Sequence, residues 1–358
     1  MKITVAGGGN IGTQFAAHCA NKGHEVTIYT SRPSDFSSHV AVVNRQGDII
    51  AEGNVTITDR LEDAVKETDL LFVATPAFMA DSIANKITGN IKKDAKICLV
   101  PGTGGMECAF IKALDRGCVI FGLQRVPAVV RTLQYGHTVC ATGYRELLHA
   151  AAIPSSRTEE CARIIQGIFD IECATIENYL GVTLTPSNPI LHPSRLYTMF
   201  KDYKPGDVYQ RNPLFYEEWE DESSQLLFAM DEEEQNICAA LSEFDLTCVR
   251  SLKLHYESDT PQKLTQKIRS IAGFKGIYTP MVQVENGFVP DFNSRFFTAD
   301  FPFGLKILLQ VAQFAGVEAP NMSKVYEWYT EFAVSTAAFS YQSYGISNKK
   351  QFLKFYLQ

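Results

Sequence analysis

The first 150 residues alternate short apolar runs with longer stretches of helical periodicity. Leu70-Leu71-Phe72-Val73-Ala74 is apolar throughout, as expected for a strand that is buried on both faces of a parallel sheet. Five segments are predicted strands: Ile3–Ala6, Val26–Tyr29, Leu70–Ala74, Ile97–Val100 and Val119–Gly122. Helices are predicted between them, over Gly12–Asn21 and Ala77–Thr88. Strictly alternating strands and helices indicate a doubly wound, mainly parallel sheet.

After about residue 173 the pattern changes to longer helical periods with more charged and aromatic residues. Helices are predicted over Ser223–Ser242, Pro261–Ala272 and Phe303–Ala315. Residues 203–212 and 278–295 are rich in turn-forming residues and are predicted to be connections. The sequence therefore predicts an α/β Rossmann domain over residues 1–173 and a mainly α-helical domain over 174–358.

Composition and charge narrow the classes of protein. The formal net charge of −7 over 358 residues disfavours broad electrostatic binding of nucleic acid. No apolar run reaches the length of about 18 residues that a membrane span needs. The nine cysteines form no Cys-x-x-Cys pair, so reduced thiols in a cytoplasmic protein are expected rather than a zinc site or a disulfide framework.

A glycine-rich turn follows the first predicted strand and opens the first predicted helix. Gly7, Gly9 and Gly12 fit the spacing G-x-G-x-x-G, and Asn10 and Ile11 complete the loop. The first glycine permits a tight turn, the second a close approach of backbone to a pyrophosphate, and the third close packing of helix on strand. A lone motif of this kind is weak, but the strand before it and the helix after it predict a dinucleotide site.

The end of the second strand bears on which dinucleotide binds. NAD-binding folds place an Asp or Glu there to accept hydrogen bonds from the ribose 2′-OH. This chain has Thr30, Ser31 and Arg32 instead, and an arginine suits a 2′-phosphate. NADP is therefore the preferred prediction; the alternative is that Arg32 is a solvated loop residue and NAD binds.

Two more loops follow predicted strands and are candidates for contact with the cofactor. Thr75 and Pro76 follow the Leu70–Ala74 strand, and Gly102 follows the Ile97–Val100 strand. Ligands of such sheets bind beyond the carboxyl ends of the strands. The alternative for each residue is a plain strand-to-helix turn.

Candidate catalytic residues lie in the second half of the chain. His192 stands in Asn188-Pro189-Ile190-Leu191-His192-Pro193, where prolines restrict the backbone. Position alone favours a structural histidine. Arg295 and Asp300 stand five residues apart ahead of an amphipathic helix. Arginine can bind a carboxylate through two hydrogen bonds, and aspartate can orient an imidazole. The alternatives are an Arg–Asp structural pair or a helix cap at Asp300.

Together these motifs resemble those of the opine dehydrogenase family, which includes octopine and nopaline dehydrogenases. The resemblance runs from residue 1 to about 315. It includes Pro101-Gly102-Thr103-Gly104-Gly105, the segment around His192, and Ser294-Arg295-Phe296-Phe297-Thr298-Ala299-Asp300-Phe301-Pro302-Phe303-Gly304-Leu305. The last two segments are more specific than the glycine loop.

The resemblance implies reductive condensation of an amino acid with a 2-oxo acid such as pyruvate, with NAD(P)H as reductant. His192 and Asp300 would form a catalytic dyad, and Arg295 would hold a substrate carboxylate. Asn188 would contact substrate. Phe296 and Ala299 depart from the Tyr and Glu that the family often has there, so the choice of substrate is less defined than the chemistry.

Two other classes of function stay open on the sequence. A ketopantoate reductase-like or glycerol-3-phosphate dehydrogenase-like carbonyl reductase would use a lysine of the helical domain, and Lys267 and Lys306 lie on helical stretches. A cofactor-binding sensor without catalysis is the second alternative. The expected partners are small molecules, and a homodimer through the helical domain fits this architecture.

Overall fold

The computed structural model describes residues 1–333 and 337–358. They form two compact units. The first contains Met1–Pro186, Tyr344–Ile346 and Lys350–Gln358, and the second contains Ser187–Ser343 and Ser347–Lys349.

The first unit is built on an eight-stranded sheet in the order β12-β11-β8-β7-β6-β1-β2-β5. Six neighbouring strands run parallel to one another: β8, β7, β6, β1, β2 and β5. Strand β11 runs antiparallel to β8 and parallel to β12. The strands are β1 Lys2–Ala6, β2 Glu25–Tyr29, β3 His39–Val43, β4 Ile49–Asn54, β5 Thr56–Thr58, β6 Leu70–Val73, β7 Lys96–Leu99, β8 Val119–Leu123, β9 Val129–Gln134, β10 Thr138–Thr142, β11 Leu147–Ile153 and β12 Glu172–Thr175. All five predicted strands are confirmed within one or two residues at their ends.

Helices of the first unit connect these strands. They are α1 Asn10–Asn21, α2 Leu61–Ala64, α3 Ala80–Ile87, α4 Met106–Ala109, α5 Ile111–Leu114, α6 Thr158–Phe169 and α7 Tyr179–Leu184. Short 3₁₀ turns cover Pro33–Asp35, Ala77–Met79 and Ser155–Arg157. Phe15 of α1 lies fully buried between Phe72 and Phe169, with ring centroids 4.9 and 4.7 Å away, so α1 is packed firmly against the sheet.

A second sheet in this unit, which the sequence pattern did not predict, has the order β4-β3-β10-β9. Its β9 strand has the burial pattern of an exposed edge, with only one of six residues buried. Such an edge strand lacks the continuous apolar run that identified the central sheet, whereas β3 carries one over residues 40–43, all of them buried.

The division between the units differs from the predicted join at 173/174. That position lies inside β12, which pairs in parallel with β11 from Leu147↔Glu172 to Ala150↔Thr175. The chain also returns to the first unit at its end: the hydroxyl of Tyr356 donates a 2.6 Å hydrogen bond to the fully buried Glu107. Composition changes near residue 173, but strand pairing keeps the following residues with the sheet.

The second unit is mainly helical, as predicted. Its helices are α8 Asn188–Phe200, α9 Asp221–Ala240, α10 Leu252–His255, α11 Pro261–Ser270, α12 Arg295–Thr298, α13 Lys306–Ala315 and α14 Pro320–Phe332; α15 Lys349–Tyr356 begins in this unit and continues in the first. A π-helical turn covers Phe301–Leu305, and 3₁₀ turns cover Ala272–Phe274 and Tyr341–Tyr344. The long α9 packs against α8, α11, α13 and α14.

One predicted connection contains regular structure. Within residues 278–295, strands β13 Met281–Val284 and β14 Gly287–Pro290 form an antiparallel hairpin. Gly287 has a φ of +145°, which a glycine adopts readily, and it opens the return strand. Of the residues that suggested a plain connection, Asn286 lies in the two-residue turn of this hairpin, Gly287 opens β14 and Pro290 ends it.

Candidate active site

Helix α8 carries the candidate histidine. Pro189 lies in its first turn, where a missing N–H costs nothing, and Pro193 lies inside the helix. Between the two prolines, His192 is 8% exposed. Burial of a polar ring requires hydrogen-bond partners for both nitrogens.

Both partners are present. Nδ1 of His192 lies 2.7 Å from Oδ2 of Asp300, and Nε2 lies 2.7 Å from the hydroxyl oxygen of Tyr216. A carboxylate only accepts hydrogen bonds, so Nδ1 carries the proton and donates to it. Nε2 of the neutral ring then accepts the hydrogen bond from the Tyr216 hydroxyl. The structure thus brings His192 and Asp300 together as the sequence predicts, and it adds Tyr216.

Asp300 stands immediately before the π-helical turn Phe301–Leu305. Its side chain makes no capping hydrogen bond to that turn. The carboxylate bonds to His192 instead, and its side chain is 20% exposed. A plain helix cap is therefore not the role of Asp300 in this structure.

Aromatic rings enclose the imidazole. The Phe296 ring centroid lies 4.6 Å from that of His192, and Phe215 lies 5.8 Å away. Phe215 is fully buried and packs on Phe296 at 5.0 Å. These rings lower the local polarity, which strengthens the hydrogen bonds of the imidazole.

The two residues predicted to bind substrate, Arg295 and Asn188, are exposed, and each lies a few residues before Asp300 or His192 in the sequence. Arg295 is the first residue of α12, and Asn188 is the first residue of α8. Over residues 1–333 and 337–358, neither side chain has a hydrogen-bond or ion-pair partner. Both are therefore available to a ligand.

The glycine loop of the first unit has the shape that its motif predicts. Gly7 has a φ of +119°, and a Cβ there would lie 2.6 Å from the carbonyl oxygen of Ala74. A Cβ on Gly12 would lie 1.7 Å from the carbonyl oxygen of Gly7, so this contact excludes any side chain. A Cβ on Gly9 would meet no atom within 4 Å. Gly9 therefore leaves open space at the start of α1, where a pyrophosphate would fit.

The two residues between these glycines have structural partners. The amide nitrogen of the Asn10 side chain donates to the carbonyl of Val130 at 3.2 Å, and its oxygen accepts from the hydroxyl of Thr132. Ile11 packs its side chain against the core. Only their backbone groups are left for a phosphate, and no side chain caps α1.

The end of β2 is shaped by an aromatic residue from a distant hairpin. The Arg32 guanidinium lies 4.5 Å from the ring centroid of Tyr135, and its Nε is 3.8 Å from Asp35. Thr30 is buried, and its hydroxyl accepts the backbone N–H of Arg32 at 3.3 Å; Ser31 is exposed. No sequence signal links Tyr135 with Arg32, since 103 positions separate them (135 − 32).

The remaining candidates for contact with the cofactor, Thr75, Pro76 and Gly102, differ in whether their surroundings leave a group free to bind it. The hydroxyl of Thr75 is buried and makes no hydrogen bond within the described residues, so a ligand could supply its partner. Pro76 follows at the start of the Ala77–Met79 turn. Gly102 is buried, and a Cβ there would lie 2.7 Å from Cα of Gly122 and 2.9 Å from the hydroxyl of Tyr179. Packing against its own unit therefore explains that glycine, and contact with a cofactor stays a prediction.

Comparison with known proteins agrees with both units. Residues 175–333 match the family model described as NAD/NADP octopine/nopaline dehydrogenase, alpha-helical domain. Residues 2–112 match the model described as NAD-dependent glycerol-3-phosphate dehydrogenase N-terminus.

Named relatives cover nearly the whole chain. Tauropine dehydrogenase of Arabella iricolor is 25% identical over 91% of this chain and 90% of its own length. Opine dehydrogenase of Haliotis discus hannai is 26% identical over 92% and 89%. A solved structure of octopine dehydrogenase with NADH and L-arginine superposes with a TM-score of 0.84 at 22% identity, covering 98% of this chain and 97% of that one.

Over nearly its whole length this chain is similar to tauropine and opine dehydrogenases, and its second unit matches the helical domain of the octopine/nopaline dehydrogenases. It is an NAD(P)-dependent oxidoreductase with a Rossmann-like first domain and a helical second domain. Among residues 1–333 and 337–358, no helix is long and apolar enough to cross a membrane. Phe296, where the resemblance leads one to expect Tyr, packs its ring on the imidazole of His192.

Proposed function

We propose that this opine dehydrogenase joins the amine of an amino acid to the keto carbon of a 2-oxo acid such as pyruvate. The amine attacks the keto carbon, water leaves, and reduction of the resulting imine yields an N-(1-carboxyalkyl) amino acid. The observation that carries the proposal is the hydrogen bonding of the buried His192 to Asp300. Condensation needs a group that removes a proton from an ammonium and later returns one to a hydroxyl, and a paired histidine does both.

His192 serves as the general acid/base. Asp300 fixes the proton on Nδ1 and stabilises the imidazolium that forms when the ring takes a second proton. The aromatic neighbours exclude water from the ring, so the proton is exchanged with the substrate rather than with solvent.

Arg295 binds the carboxylate of the 2-oxo acid. Its exposed guanidinium, without an ion-pair partner in the described residues, provides two parallel N–H donors for a carboxylate. Asn188 supplies an amide for a second polar contact. Fixing the 2-oxo acid in this way places its carbon for attack, and positioning contributes much of the rate when two substrates must meet.

The first unit binds the dinucleotide. Gly7, Gly9 and Gly12 shape the loop, and the backbone N–H groups of Asn10 and Ile11 begin the helix that faces the pyrophosphate. Thr75 and Pro76 lie beyond the carboxyl end of β6, as ligand-binding residues of such sheets do. The nicotinamide supplies the hydride for the reduction when the cofactor is bound.

NADP is the preferred cofactor in this proposal. Arg32 stands where NAD-binding folds place a carboxylate, and the Tyr135 ring holds its guanidinium in place. The exposed Ser31 hydroxyl adds a donor for a 2′-phosphate. Asp35 lies 3.8 Å from Arg32 and opposes this preference in part, so use of NADH alongside NADPH is expected.

The competing carbonyl-reductase mechanism needs a free lysine in the helical unit. Lys267 forms a 2.8 Å ion pair with Glu257, and the ammonium of Lys306 lies 4.8 Å from the Tyr326 ring centroid. Neither contact points to a catalytic lysine. A non-catalytic sensor would have no use for the buried pair of His192 and Asp300.

The deciding experiment follows NADPH and NADH absorbance with purified protein, pyruvate and a panel of amino acids. Oxidation that requires both pyruvate and an amine is the expected result. Oxidation with the 2-oxo acid alone would assign the protein to the carbonyl reductases instead. Two further sequence-based proposals have tests of their own. The mass of the purified protein in solution tests the homodimer, and fractionation of the source cells tests the cytoplasmic location.

A further inference from the structure

The lone pair that a general base would use is already occupied. With the proton of His192 on Nδ1, Nε2 accepts the hydroxyl proton of Tyr216 across 2.7 Å. An attacking ammonium therefore cannot reach Nε2 unless the phenol moves away or transmits the proton.

Packing prevents the phenol from moving away. The Tyr216 side chain stacks against Phe274 at 4.1 Å with the ring planes 17° apart. It is also parallel to Trp219 at 6.3 Å and meets Phe215 edge-on at 4.8 Å. Tyr216 is only 5% exposed, so a rotation would sacrifice contacts with three aromatic rings.

The backbone that carries Tyr216 is also held. Arg195, which follows His192 by three residues on α8, donates from Nη2 to the carbonyl of Glu218 at 2.5 Å. Arg269 donates from Nε to the carbonyl of Trp219 at 2.7 Å. One helix thus carries both the histidine and the arginine that fixes the tyrosine segment, so the distance between His192 and Tyr216 is set by the fold.

We propose that Tyr216 is a catalytic residue that relays the proton between the substrate amine and His192. The phenol oxygen takes a proton from the ammonium while the phenol proton passes to Nε2. One N–H bond of the ammonium and the original O–H bond break, and a new O–H bond and an Nε2–H bond form. The products are a neutral amine, an unchanged tyrosine and an imidazolium that Asp300 stabilises. Loss of water uses the same path in reverse, with the departing hydroxyl as final acceptor.

The two protons move together in this relay. Burial raises the pKa of the Tyr216 hydroxyl above its ordinary value, so a free tyrosinate is an unfavourable intermediate. When two protons move in the same transition state, a plot of rate against the deuterium fraction of the solvent is bowl-shaped. When a single proton moves, the plot is a straight line. This difference is measurable in the unmodified enzyme.

The variant that isolates the hydroxyl is Tyr216→Phe, which keeps the stacked ring. It is expected to lower kcat by about 10- to 100-fold and to leave both KM values nearly unchanged. Its dependence of rate on deuterium fraction should become linear. Tyr209→Phe, which removes a hydroxyl from another aromatic residue of the same unit, is the matched control and should behave as the wild type. Thermal unfolding checks that each variant is folded.

The double variant His192→Ala/Tyr216→Phe separates a relay from a structural role. Because Tyr216 acts through His192, the double variant should be no slower than His192→Ala alone. Additive losses, or full kcat in Tyr216→Phe, would overturn the relay. A linear deuterium dependence in the wild type would also overturn it, even if the phenylalanine variant does not fold.

The relay rests on the proposed function, and the two can fail separately. A wild type that oxidises NADPH or NADH with no combination of amine and 2-oxo acid would refute both. A wild type with that activity and an equally active Tyr216→Phe would refute the relay alone.

Discussion

Nδ1 of His192 and Oδ2 of Asp300 lie 2.7 Å apart, although 108 positions separate the two residues in the chain. His192 lies within α8, which also contains two prolines, and Asp300 immediately precedes the π-helical turn Phe301–Leu305. Gly304 of that turn lies against Pro189 of α8, where a Cβ on the glycine would come within 3.1 Å of the proline ring. Close packing of these two segments therefore sets the distance between the imidazole and the carboxylate.

The dyad predicts a large effect of Asp300→Asn. An asparagine can donate its amide N–H to Nδ1, which would move the histidine proton to Nε2 and remove the base. We expect kcat to fall by about 10²- to 10⁴-fold while cofactor affinity changes little. Absorbance assays give kcat, and quenching of protein fluorescence gives the cofactor Kd. Equal losses of both would identify a structural pair instead.

Arg295→Gln should weaken binding of the 2-oxo acid. Loss of a two-pronged charged hydrogen bond costs about 1.5–3 kcal/mol, which raises KM for pyruvate by about 10- to 100-fold. KM for the amino acid should change less. Arg60→Gln, which removes an exposed arginine of the first unit paired with Asp63, is the control and should leave both KM values unchanged. An unaltered KM for pyruvate in Arg295→Gln would exclude the proposed anchor.

Arg32→Gln tests the cofactor preference. Removing the guanidinium should raise KM for NADPH by about tenfold or more and leave KM for NADH nearly constant, because only NADPH carries the 2′-phosphate. Tyr135→Leu removes the ring beneath the guanidinium and should give a smaller change in the same direction. If both cofactors respond equally, Arg32 does not contact the 2′-phosphate.

Two glycines of the same loop should respond differently to alanine. Gly12→Ala places a methyl group 1.7 Å from a carbonyl oxygen, so the first unit should be strongly destabilised. Gly9→Ala meets no protein atom within 4 Å, so it should fold normally and bind the dinucleotide more weakly by about tenfold. Thermal unfolding and cofactor titration distinguish the two effects. Full cofactor affinity in Gly9→Ala would mean that the pyrophosphate lies elsewhere.

His18 makes stability depend on pH. Burial lowers its pKa in the folded protein to about 4, and its Nε2 lies 2.9 Å from the Tyr144 hydroxyl. The unfolded chain has the ordinary pKa of about 6.5 and therefore binds more protons than the folded chain between pH 6.5 and 4. The free energy of unfolding should then fall by up to about 3 kcal/mol as pH decreases through this range.

Urea unfolding at pH 7 and pH 4.5 measures this dependence. His18→Gln should lose the His18 contribution, so its stability should change less between the two pH values than that of the wild type. His137→Gln, at a half-buried histidine of the same unit, serves as the control. An identical pH dependence of His18→Gln and wild type would show that His18 does not titrate as proposed.

Much of the site was predictable because its residues lie in short motifs. Gly7, Gly9 and Gly12 are close in sequence; the backbone leaves no room for a Cβ at Gly7 or Gly12, and Gly9 leaves open space for a ligand. His192 and Asp300 were proposed through the resemblance of their segments, since the position of His192 alone favoured a structural histidine. Tyr216 was missed because it lies in a turn, outside any helix or strand, and belongs to none of the motifs that the sequence offered.

The sequence by itself determined the central sheet and the helical second unit, since buried parallel strands and amphipathic helices carry their signal in consecutive residues. Only the tertiary structure decided where the units divide, how β11 and β12 extend the sheet, and that α15 returns to the first unit. It also decided that Tyr135 lies under Arg32 and that Tyr216 bonds to His192. Such contacts depend on strand pairing and side-chain packing between distant segments, and no local pattern in the chain encodes either.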